Sequence, residues 1–447
     1  MLDTQRIAAD LLAVAAEAHG EGDHAAASTY ARAALQADPS SAAACNLIGL
    51  AEFDCGAHAE AAVYLKRAAI LDPANAEYPN NLGFVLHAMG ELDEARQALE
   101  RALAVDPLMA HAANNLGSVM EKAGEDTAAI ALYRRALQID PAFVEARDNL
   151  LLACARVAPQ WHFPMMADGP RNAAYAKALA KVAARQRVLD IGSGSGLLAM
   201  MAVQAGAAQV ATCEMQPVIA EVAKAVTAAN GLAGKISVWP MKSDQLELGR
   251  ELLARAQVLV TETFSSGLIS EGVLPTVEDA HRRLLEPDAV VIPRRAGAVG
   301  YLIGGAMLEQ HLFAGAETGF DLSAFDLLAP GKLGMHLDRM PHQTLSADFE
   351  IFGFDLKQRH FPPERRRFEV EATAAGRCIG VAQWIRLNLD ADTVYENRPT
   401  PDAGPNGWMH VIYRFARPVT VAVGDRVPLV ASHNRISLTI GLDLAAG

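Results

Sequence analysis

The sequence predicts a multidomain protein with a helical repeat array first, a doubly wound α/β domain second and an antiparallel β domain last. Three observations predict this order. Several residue types recur every 34 positions in the first third of the chain. Apolar strand-like runs alternate with helix-like segments in the middle third, and the last third has the period-two alternation of antiparallel strands. We therefore expect repeats over 1–141, a capping helix and linker over 142–160, the α/β domain over 161–293 and the β domain over 294–447.

Composition limits the partners that the chain can attract. It has 447 residues, of which 51% are hydrophobic, and its net charge is −13. A negative field disfavours nucleic acid and anionic membrane but suits basic peptides. The N-terminal stretch has neither the basic region of a signal peptide nor the apolar length of a membrane span. Five scattered cysteines without metal-ligand spacing indicate a reducing compartment, so we expect a cytoplasmic protein without a metal.

The first element, the repeat array, rests on several columns that share one period. The tripeptides "ADP", "LDP", "VDP" and "IDP" lie at 37–39, 71–73, 105–107 and 139–141, and glycines and alanines keep the same spacing. Small residues let paired helices approach closely, and proline ends the second helix of each pair. The pattern resembles the tetratricopeptide repeat over about 5–141. Such an array needs a capping helix, which we assign to 142–157.

The resemblance to this repeat implies a concave face that binds an extended peptide. Asn81 and Asn115 each come directly before a Leu-Gly pair. An amide donates and accepts hydrogen bonds at once, which suits a peptide backbone. The alternative is that both asparagines satisfy neighbouring helices. The two interpretations stay open at the level of the sequence, because Leu47 and Ala13 hold the equivalent positions in the other repeats.

The second element opens on "RVLDIGSGSGLL" at 187–198, in which an apolar strand leads through a glycine turn into a helix. Gly192, Gly194 and Gly196 would let a ligand approach the backbone. Their G-x-G-x-G spacing differs from the G-x-G-x-x-G of a dinucleotide site. Asp190 directly precedes the turn, and a second strand ends at Glu214, where a carboxylate can hold both hydroxyls of a ribose.

Four segments of the chain together resemble the protein arginine methyltransferases in order and spacing, namely "VLDIGSGSGLL", "CEMQPVIAEVAKA", "VLVTETFSSGLISEG" and "VIPRRA". The upstream stretch "WHFPMMADGPRNAAY" resembles the N-terminal cofactor lid of that family. The resemblance implies a Rossmann-like class I methyltransferase domain that binds S-adenosylmethionine and is followed by an antiparallel β-barrel. It also implies a dimerisation arm near 305–333 and, since only one module is present, a homodimer.

Cofactor contacts follow from the same resemblance. It implies that Arg171 holds the carboxylate of S-adenosylmethionine, although a solvated surface arginine is the alternative on sequence logic alone. The other implied contacts are His162 and Met165 lining the site, Asp190, Gly192, Ser193, Gly194 and Gly196 along the methionine moiety and its glycine turn, Glu214 at the ribose, and Ser243 with Asp244 at the adenine.

Two glutamates, Glu262 and Glu271, lie nine residues apart at the ends of a nearly uncharged loop. Arginine is not readily deprotonated, so an enzyme that methylates it must orient the guanidinium and offset its charge. Two carboxylates can grip different N–H pairs of its fork. The glutamate pair of the family corresponds to these two residues, and one of them is also a possible proton acceptor. Alternatively, Glu271 is a first-turn helix acid that complements the helix dipole.

Departures from the family pattern concern the product. Most of the family has a Thr-His-Trp loop at the arginine pocket, whereas this chain keeps Trp408 and has Gly407 in place of the histidine. Val273 lies two residues after the second glutamate, where asymmetric dimethylators often have methionine. The repeats and the altered Trp loop resemble the ninth branch of the family, and the glutamate loop also resembles the seventh. These branches imply monomethylarginine or symmetric dimethylarginine as the product.

Taken together, these features predict an S-adenosylmethionine-dependent protein arginine N-methyltransferase whose repeats recruit an arginine-containing protein or peptide. Two alternatives belong to other classes. One is a repeat scaffold with an inactive methyltransferase-like module, which the missing histidine favours. The other is a small-molecule methyltransferase, against which the paired glutamates argue.

Overall fold

The computed structural model describes residues 2–158, 162–400 and 407–444. The chain divides into two compact units, residues 1–159 and residues 160–447. Among the residues that the structure describes, no helix has both the length and the apolar character needed to cross a bilayer.

Helices alone make up the described part of the first unit, and they pack as consecutive antiparallel pairs with a single helix at the end. Their bounds are α1 Leu2–Gly20, α2 His24–Ala37, α3 Ala42–Asp54, α4 His58–Leu71, α5 Glu77–Met89, α6 Leu92–Val105, α7 Ala110–Lys122, α8 Asp126–Ile139 and α9 Val144–Val157. Helix α9 packs on α7 and α8 as the expected capping helix. The predicted solenoid of helical repeats is therefore confirmed.

The regular spacing of 34 residues has a direct structural cause in the turns. The glycines between the two helices of each repeat, Gly22, Gly56, Gly90 and Gly124, have φ of 83°, 84°, 87° and 80°. Only glycine adopts this left-handed region without strain. The aspartate of each Asp-Pro pair ends the second helix, and its side chain accepts a hydrogen bond from the backbone two residues on. Each repeat thus ends in the same turn.

A glycine inside the first helix of a repeat makes room for a large side chain on the second helix. A Cβ added to Gly83 would lie 2.4 Å from Cγ of Leu99. Gly49 faces Leu65 and Gly117 faces Tyr133 in the same way. In the first repeat the equivalent positions hold Ala15 and Ala31, both fully buried. Because Ala31 is small, the first repeat tolerates alanine where the other three need glycine.

The second unit begins with a five-stranded parallel sheet flanked by helices. Its elements are α10 His162–Met166, α11 Gly169–Val182, β1 Arg187–Ile191, α12 Leu197–Gln204, β2 Gln209–Cys213, α13 Pro217–Ala229, β3 Ile236–Trp239, the 3-10 helix Ser243–Gln245, β4 Ala256–Thr261, α14 Val273–Arg283 and β5 Leu285–Ile292. The strand order is β3-β2-β1-β4-β5, and every neighbouring pair is parallel. This is the predicted doubly wound arrangement, in which ligands bind at the carboxyl ends of the strands.

Antiparallel strands follow from Arg295 onward. The elements are β6 Arg295–Gly304, α15 Ala306–Leu312, β7 Ala316–Glu317, β8 Phe320–Asp321, the 3-10 helix Ser323–Leu328, β9 Lys332–Met335, the 3-10 helix Leu337–Arg339, β10 Gln343–Thr344, β11 Phe349–Asp355, β12 Glu364–Glu371, β13 Gly376–Asn388, β14 Val394–Glu396, β15 His410–Val421, β16 Arg426–His433 and β17 Leu438–Leu442. The main sheet runs β10-β6-β13-β15-β9, and a smaller one runs β12-β16-β17. Closure of these strands into a barrel stays a prediction.

One apolar core joins the parallel sheet to the antiparallel strands. Leu189 and Leu259 of the parallel sheet belong to the same buried cluster as Ile385 and Leu429 of the antiparallel sheets. The cluster also contains Phe264, from the loop between the two glutamates. Since tightly packed cores deform little, the glutamate loop is held against both halves of the unit.

Candidate active site

The site is built where three neighbouring parallel strands end. Ile191 at the end of β1 pairs in register with Cys213 of β2 and with Thr261 of β4. The next residue after each strand end is Gly192, Glu214 and Glu262, respectively. The sheet therefore brings the glycine turn, the expected ribose carboxylate and the first glutamate of the pair to one edge.

The glycine turn folds back over the end of β2. The backbone N–H groups of Gly192 and Ser193 both donate to the carbonyl of Cys213, at 3.0 Å each. Gly192 has φ of 90°, and a Cβ there would lie 2.7 Å from Cγ2 of Thr263. Gly196 precedes α12 with φ of 81°. A turn that tolerates no side chain at these points exposes backbone to a ligand, as a cofactor loop requires.

Two carboxylates flank this turn in different environments. Asp190 is fully buried, and its Oδ2 accepts from the Thr212 hydroxyl at 2.8 Å. Its Oδ1 has no hydrogen-bond partner among the described residues. Burial raises the pKa of Asp190 to about 7. Glu214 is held at the end of β2 by the backbone N–H groups of Gly194 at 3.2 Å and Gln216 at 3.0 Å.

Arg171 reaches the first glutamate from the start of α11. The helix begins with Asp168 as its N-cap, whose side chain accepts from the Arg171 N–H at 2.9 Å. The Arg171 guanidinium donates through Nη2 to Oε2 of Glu262, and both side chains are 4% exposed. The guanidinium carbon Cζ of Arg171 lies 5.3 Å from the centre of the Tyr175 ring. Arg171 is thus buried, so the surface alternative is wrong, and its role at the cofactor stays a prediction.

Glu262 keeps one oxygen available after this pairing. Within the part of the chain that the structure describes, neither Glu262 Oε1 nor Arg171 Nε has a hydrogen-bond partner. Burial raises the pKa of Glu262 to about 7, and the Glu271 charge pushes it upward too, while Arg171 opposes both. A buried acceptor without a partner is costly unless a ligand supplies one.

Glu271 lies at the other end of the loop and is exposed. Neighbouring protein atoms partly shield its carboxyl from water, and this desolvation raises the pKa of Glu271. The negative charge of Glu214 raises it further. It stands ahead of the first turn of α14, which begins at Val273. The charge of Glu271 acts on Glu262 and that of Glu214 acts on Glu271, so the three carboxylates lie close enough for electrostatic coupling.

The loop between the glutamates is held by residues of the antiparallel β region, from strand β13 and from the segment that precedes β15. The Trp408 indole N–H donates to the carbonyl of Phe264 at 3.0 Å. The Met409 N–H donates to the Ser266 hydroxyl at 3.0 Å, and the Gln383 amide donates to the Ser266 carbonyl, also at 3.0 Å. Trp408 therefore contacts the loop backbone, which gives it a positioning role beside the expected pocket.

His410 does not substitute for the histidine that is absent at Gly407. It is 1% exposed, its Nδ1 accepts from the Leu337 N–H at 3.1 Å, and its Nε2 donates to the Asn397 carbonyl at 2.9 Å. Burial lowers the pKa of His410. A neutral imidazole with both nitrogens engaged is a structural group rather than a proton relay.

The remaining expected cofactor residues lie on two short elements. His162 and Met165, both half-buried, are on the single-turn helix α10 that precedes the Asp168 cap. Ser243 and Asp244 are in the 3-10 helix after β3, and the Ser243 carbonyl accepts from Arg283 at 3.0 Å. Their roles at the cofactor stay predictions.

Val273 is fully buried in the core of the unit, two residues beyond Glu271. Its side chain therefore supports the start of α14 from within. An influence of Val273 on the product stays a prediction.

In the repeat unit, both expected peptide-binding asparagines bond to neighbouring asparagines. The Asn81 amide donates to Asn46 at 2.9 Å, and the Asn115 amide donates to Asn80 at 3.0 Å. Asn149 donates to Asn114 in the same way, at 3.0 Å. This ladder supports the structural interpretation, while peptide binding by Asn81 and Asn115 stays a prediction.

Sequence reasoning missed several residues that hold the site together. Besides capping α11, Asp168 accepts a hydrogen bond from the Tyr395 hydroxyl of β14. Thr212 holds Asp190 as described above, and Tyr175 donates to the Thr261 carbonyl at 3.2 Å. Asp168 was accessible to sequence reasoning, because an aspartate followed by Gly-Pro marks the start of a helix. Tyr395 lies 227 residues from Asp168, so no local pattern indicates their contact.

Comparisons with known proteins agree with this geometry. A tetratricopeptide repeat family model matches residues 11–76 and 85–142, and a ribosomal protein L11 methyltransferase model matches residues 176–270. An "Arginine N(omega)-methyltransferase" of Streptomyces achromogenes subsp. streptozoticus is 37% identical over 292 residues, which cover 64% of this chain and 80% of that protein. "Protein arginine N-methyltransferase 7" of Drosophila ananassae is 30% identical over 322 residues, which cover 61% of this chain and 46% of that protein.

Solved structures share the fold of about two thirds of the chain at low sequence identity. The Trypanosoma brucei PRMT1 enzyme-prozyme heterotetrameric complex with AdoHcy gives a TM-score of 0.56 at 22% identity, covering 66% of this chain and 96% of that one. Arabidopsis thaliana protein arginine methyltransferase 10 gives a TM-score of 0.51 at 20% identity, covering 62% of this chain and 88% of that one.

Proposed function

The chain belongs to the protein arginine N-methyltransferase family, and on that premise we propose that it methylates arginine in a protein or peptide that its repeats recruit. The observation that carries this proposal is the buried Glu262, which pairs with Arg171 through one oxygen and keeps the other without a partner. The charge of Glu271 acts on Glu262 from the other end of the loop. A hydrogen bond from Trp408 to the Phe264 carbonyl holds that loop in place.

The residues at the strand ends fit S-adenosylmethionine, which supplies an electrophilic methyl group on a sulfonium. Asp190 Oδ1 is a buried acceptor without a partner in the described chain, and a cationic amino group would satisfy it. Arg171 uses Nη2 on Glu262 and Nη1 on Asn172, at 2.6 Å in the second case, so its Nε is left for a carboxylate. The glycine turn and Glu214 complete a surface for the rest of the molecule.

Glu262 and Glu271 orient the acceptor in this proposal. A guanidinium presents five N–H donors in a plane, so two carboxylates can hold separate edges of it. Arg171 fixes one oxygen of Glu262 and thereby aims the other, and the loop contacts of Trp408 and Gln383 fix the distance to Glu271. Orientation of this kind is among the largest contributions to catalysis, worth up to ~7–11 kcal/mol.

A proton must leave the guanidinium nitrogen once it carries a methyl group. Glu262 has a pKa of about 7, so its carboxylate is a better base near neutral pH than an ordinary glutamate. Oε1 of Glu262 is the oxygen without a partner, and we assign it as the proton acceptor. His410 takes no part, since both of its nitrogens are engaged elsewhere.

We propose monomethylarginine as the main product, with symmetric dimethylarginine as the alternative. Two observations support the transfer of a single methyl group: the sequence of the loop between Glu262 and Glu271, and the relatives named as the seventh family member. The match covers under half of the length of those relatives, so the comparison bears on only part of each of them.

A second candidate acceptor is free arginine. The Streptomyces relative is named for arginine rather than for protein arginine, and the match covers 80% of its length. The glutamate pair would hold a free guanidinium equally well. The two acceptors differ in whether the repeat unit contributes to recognition.

We further propose a homodimer through the arm at 305–333. Exposed apolar side chains crowd this segment, including Phe320, Phe325, Leu327 and Leu328, which are 69–90% exposed. Apolar groups concentrated in this way are typical of a protein interface. A cytoplasmic location is supported by five cysteines that are all free thiols.

Methyl transfer from isotope-labelled cofactor tests the proposal. The full chain would be incubated with arginine-rich peptides and, separately, with free arginine, and the products identified by mass spectrometry. We expect monomethylated peptide arginine, and a loss of about 10²–10³-fold in rate in Glu262→Gln and in Glu271→Gln. Glu221→Gln is the matched control, since Glu221 pairs on the surface with Lys224 of its own helix.

The outcomes separate the candidates. Label in free arginine but in no peptide would replace protein by free arginine as the substrate. Label in neither, with cofactor binding absent by calorimetry, would favour the inactive scaffold. Equal activity in Glu262→Gln and the control would contradict the assigned role of the glutamates.

A further inference from the structure

Two histidines and an aspartate meet at one end of the repeat unit, on three different helices. His19 lies in the last turn of α1, His24 is the first residue of α2, and Asp54 is the last residue of α3. His19 Nδ1 is 3.4 Å from His24 Nδ1 and 3.8 Å from Asp54 Oδ2, while His24 Nδ1 is 3.4 Å from the same oxygen. All three side chains are partly exposed, so an ion can reach them from solvent.

The spacing of these three atoms fits a bound metal ion. A triangle with sides of 3.4, 3.4 and 3.8 Å is circumscribed by a circle of radius about 2.1 Å. Zinc binds imidazole nitrogen at ~2.0–2.1 Å and carboxylate oxygen at ~2.0–2.2 Å. The three atoms therefore lie at separations that a single ion at normal bond lengths can span.

The donor set is also appropriate in kind. Two imidazoles and one carboxylate suit zinc, and three protein ligands leave a fourth position for water or for a group from a partner. Without a metal, an Nδ1–H of one imidazole can donate to the other imidazole or to the Asp54 carboxylate. The two states predict different metal content, which is measurable.

Comparison of the repeats indicates that the cluster is not a requirement of the repeat fold. One period later, His19 is replaced by Phe53 and Asp54 by Ala88, while His24 is matched by His58. In that second repeat, Phe53 and His58 stack with ring centres 4.7 Å apart. A stacked pair can thus occupy this turn, whereas the first repeat has two imidazoles there, to which Asp54 of α3 in the second repeat adds a carboxylate.

We propose that His19, His24 and Asp54 form a zinc site that ties the first helix pair to the end of α3. The ion would join α1 and α2 of the first helix pair to the end of α3 in the second pair. Metal binding that requires the folded state stabilises that state by the binding free energy. The proposal is independent of the methyltransferase function, which uses residues of the other unit.

Titration of the untagged full chain with Zn²⁺ after chelator dialysis tests the site. We expect one Zn²⁺ per chain by calorimetry and a higher thermal midpoint for unfolding of the repeat unit. Co²⁺ should give the intense visible absorption of a four-coordinate ion. His24→Gln and Asp54→Asn should each weaken binding at least tenfold. His58→Gln is the matched control, because His58 holds the same repeat position without the other two ligands.

Some results would overturn the proposal. Absence of stoichiometric binding at micromolar Zn²⁺ would do so, as would equal binding in His24→Gln and His58→Gln. Circular dichroism of each variant establishes that the repeat helices remain folded. Binding that persists in Asp54→Asn but disappears in His24→Gln would also reject the three-ligand site as stated.

Discussion

Arg171 and Glu262 lie 91 residues apart in the chain and form an ion pair in which each side chain is 4% exposed. The pair joins the start of α11 to the end of β4. It leaves Glu262 Oε1 and Arg171 Nε as buried polar atoms without partners among the residues described. One contact therefore links the expected cofactor arginine to the expected catalytic glutamate. Each side chain fixes the orientation of the other and leaves one of its polar atoms for a ligand.

Replacement of Arg171 tests the pair directly. Arg171→Met leaves Glu262 as a buried carboxylate without its counter-ion, which costs ~3–5 kcal/mol in comparable cases. We expect the unfolding transition of the second unit to shift accordingly in chemical denaturation, with cofactor binding lost in calorimetry. Lys177→Met on the exposed side of the same helix is the control and should change little. Equal stability of the two variants would show that the pair is unimportant.

The pH dependence of catalysis should report the glutamate pair. Glu262 must be ionised to accept the guanidinium proton, and its pKa is raised to about 7, chiefly by burial. A raised carboxyl pKa means that activity is low below that pH and rises as the pH passes through it, so kcat/KM should increase with an apparent pKa near 7.

Replacement of Glu271 provides a second test of the rising part, or limb, of the pH profile of kcat/KM. Its charge contributes to the raised pKa of Glu262, so Glu271→Gln should move the rising limb to lower pH while lowering the overall rate. The full pH profiles of both chains, measured with the same peptide, check this. A limb that stays in place, or that moves upward, would contradict the electrostatic coupling of the two glutamates.

The Trp408 contact predicts a loss of loop positioning when the indole N–H is removed. Trp408→Phe leaves the Phe264 carbonyl without its 3.0 Å donor. The cost should be ~1 kcal/mol in unfolding free energy, with a larger fall in kcat/KM than in cofactor affinity. Trp239→Phe is the control for stability, because the Trp239 indole N–H has no hydrogen-bond partner in the described structure. Equal losses in both variants would argue against the positioning role.

The repeat unit allows a test of packing at its glycine positions. Gly83→Ala would bring a Cβ to 2.4 Å from Leu99 Cγ, so Leu99 must move and the unit should lose ~1–3 kcal/mol of stability. Gly20→Ala is the control, since nothing lies within 4 Å of a Cβ there. Both changes add helix propensity, so the difference between their unfolding free energies measures the cost of the clash with Leu99. A variant Gly83→Ala as stable as the control would refute the packing argument.

Local sequence patterns were enough to predict much of the architecture. The 34-residue period followed from turn glycines that need φ near 80–87° and from alanines that are buried between helices. The strand that ends at Ile191 and the glycine turn after it were visible because both depend on short segments. The pairing of Arg171 with Glu262 and of Asp168 with Tyr395 was not visible, since partners 91 and 227 residues apart leave no local trace.

The sequence by itself determined the glycine turn, the glutamate pair and the repeat array, and it predicts a cofactor, a guanidinium and a protein partner for them. It could do so because each is a short-range pattern set by backbone sterics or side-chain type. Only the tertiary structure decided that Arg171 belongs with Glu262, that Trp408 fastens the loop backbone, and that His410 is engaged elsewhere. Those outcomes depend on how strands and helices from distant segments pack, and packing brings together residues that no spacing along the chain relates.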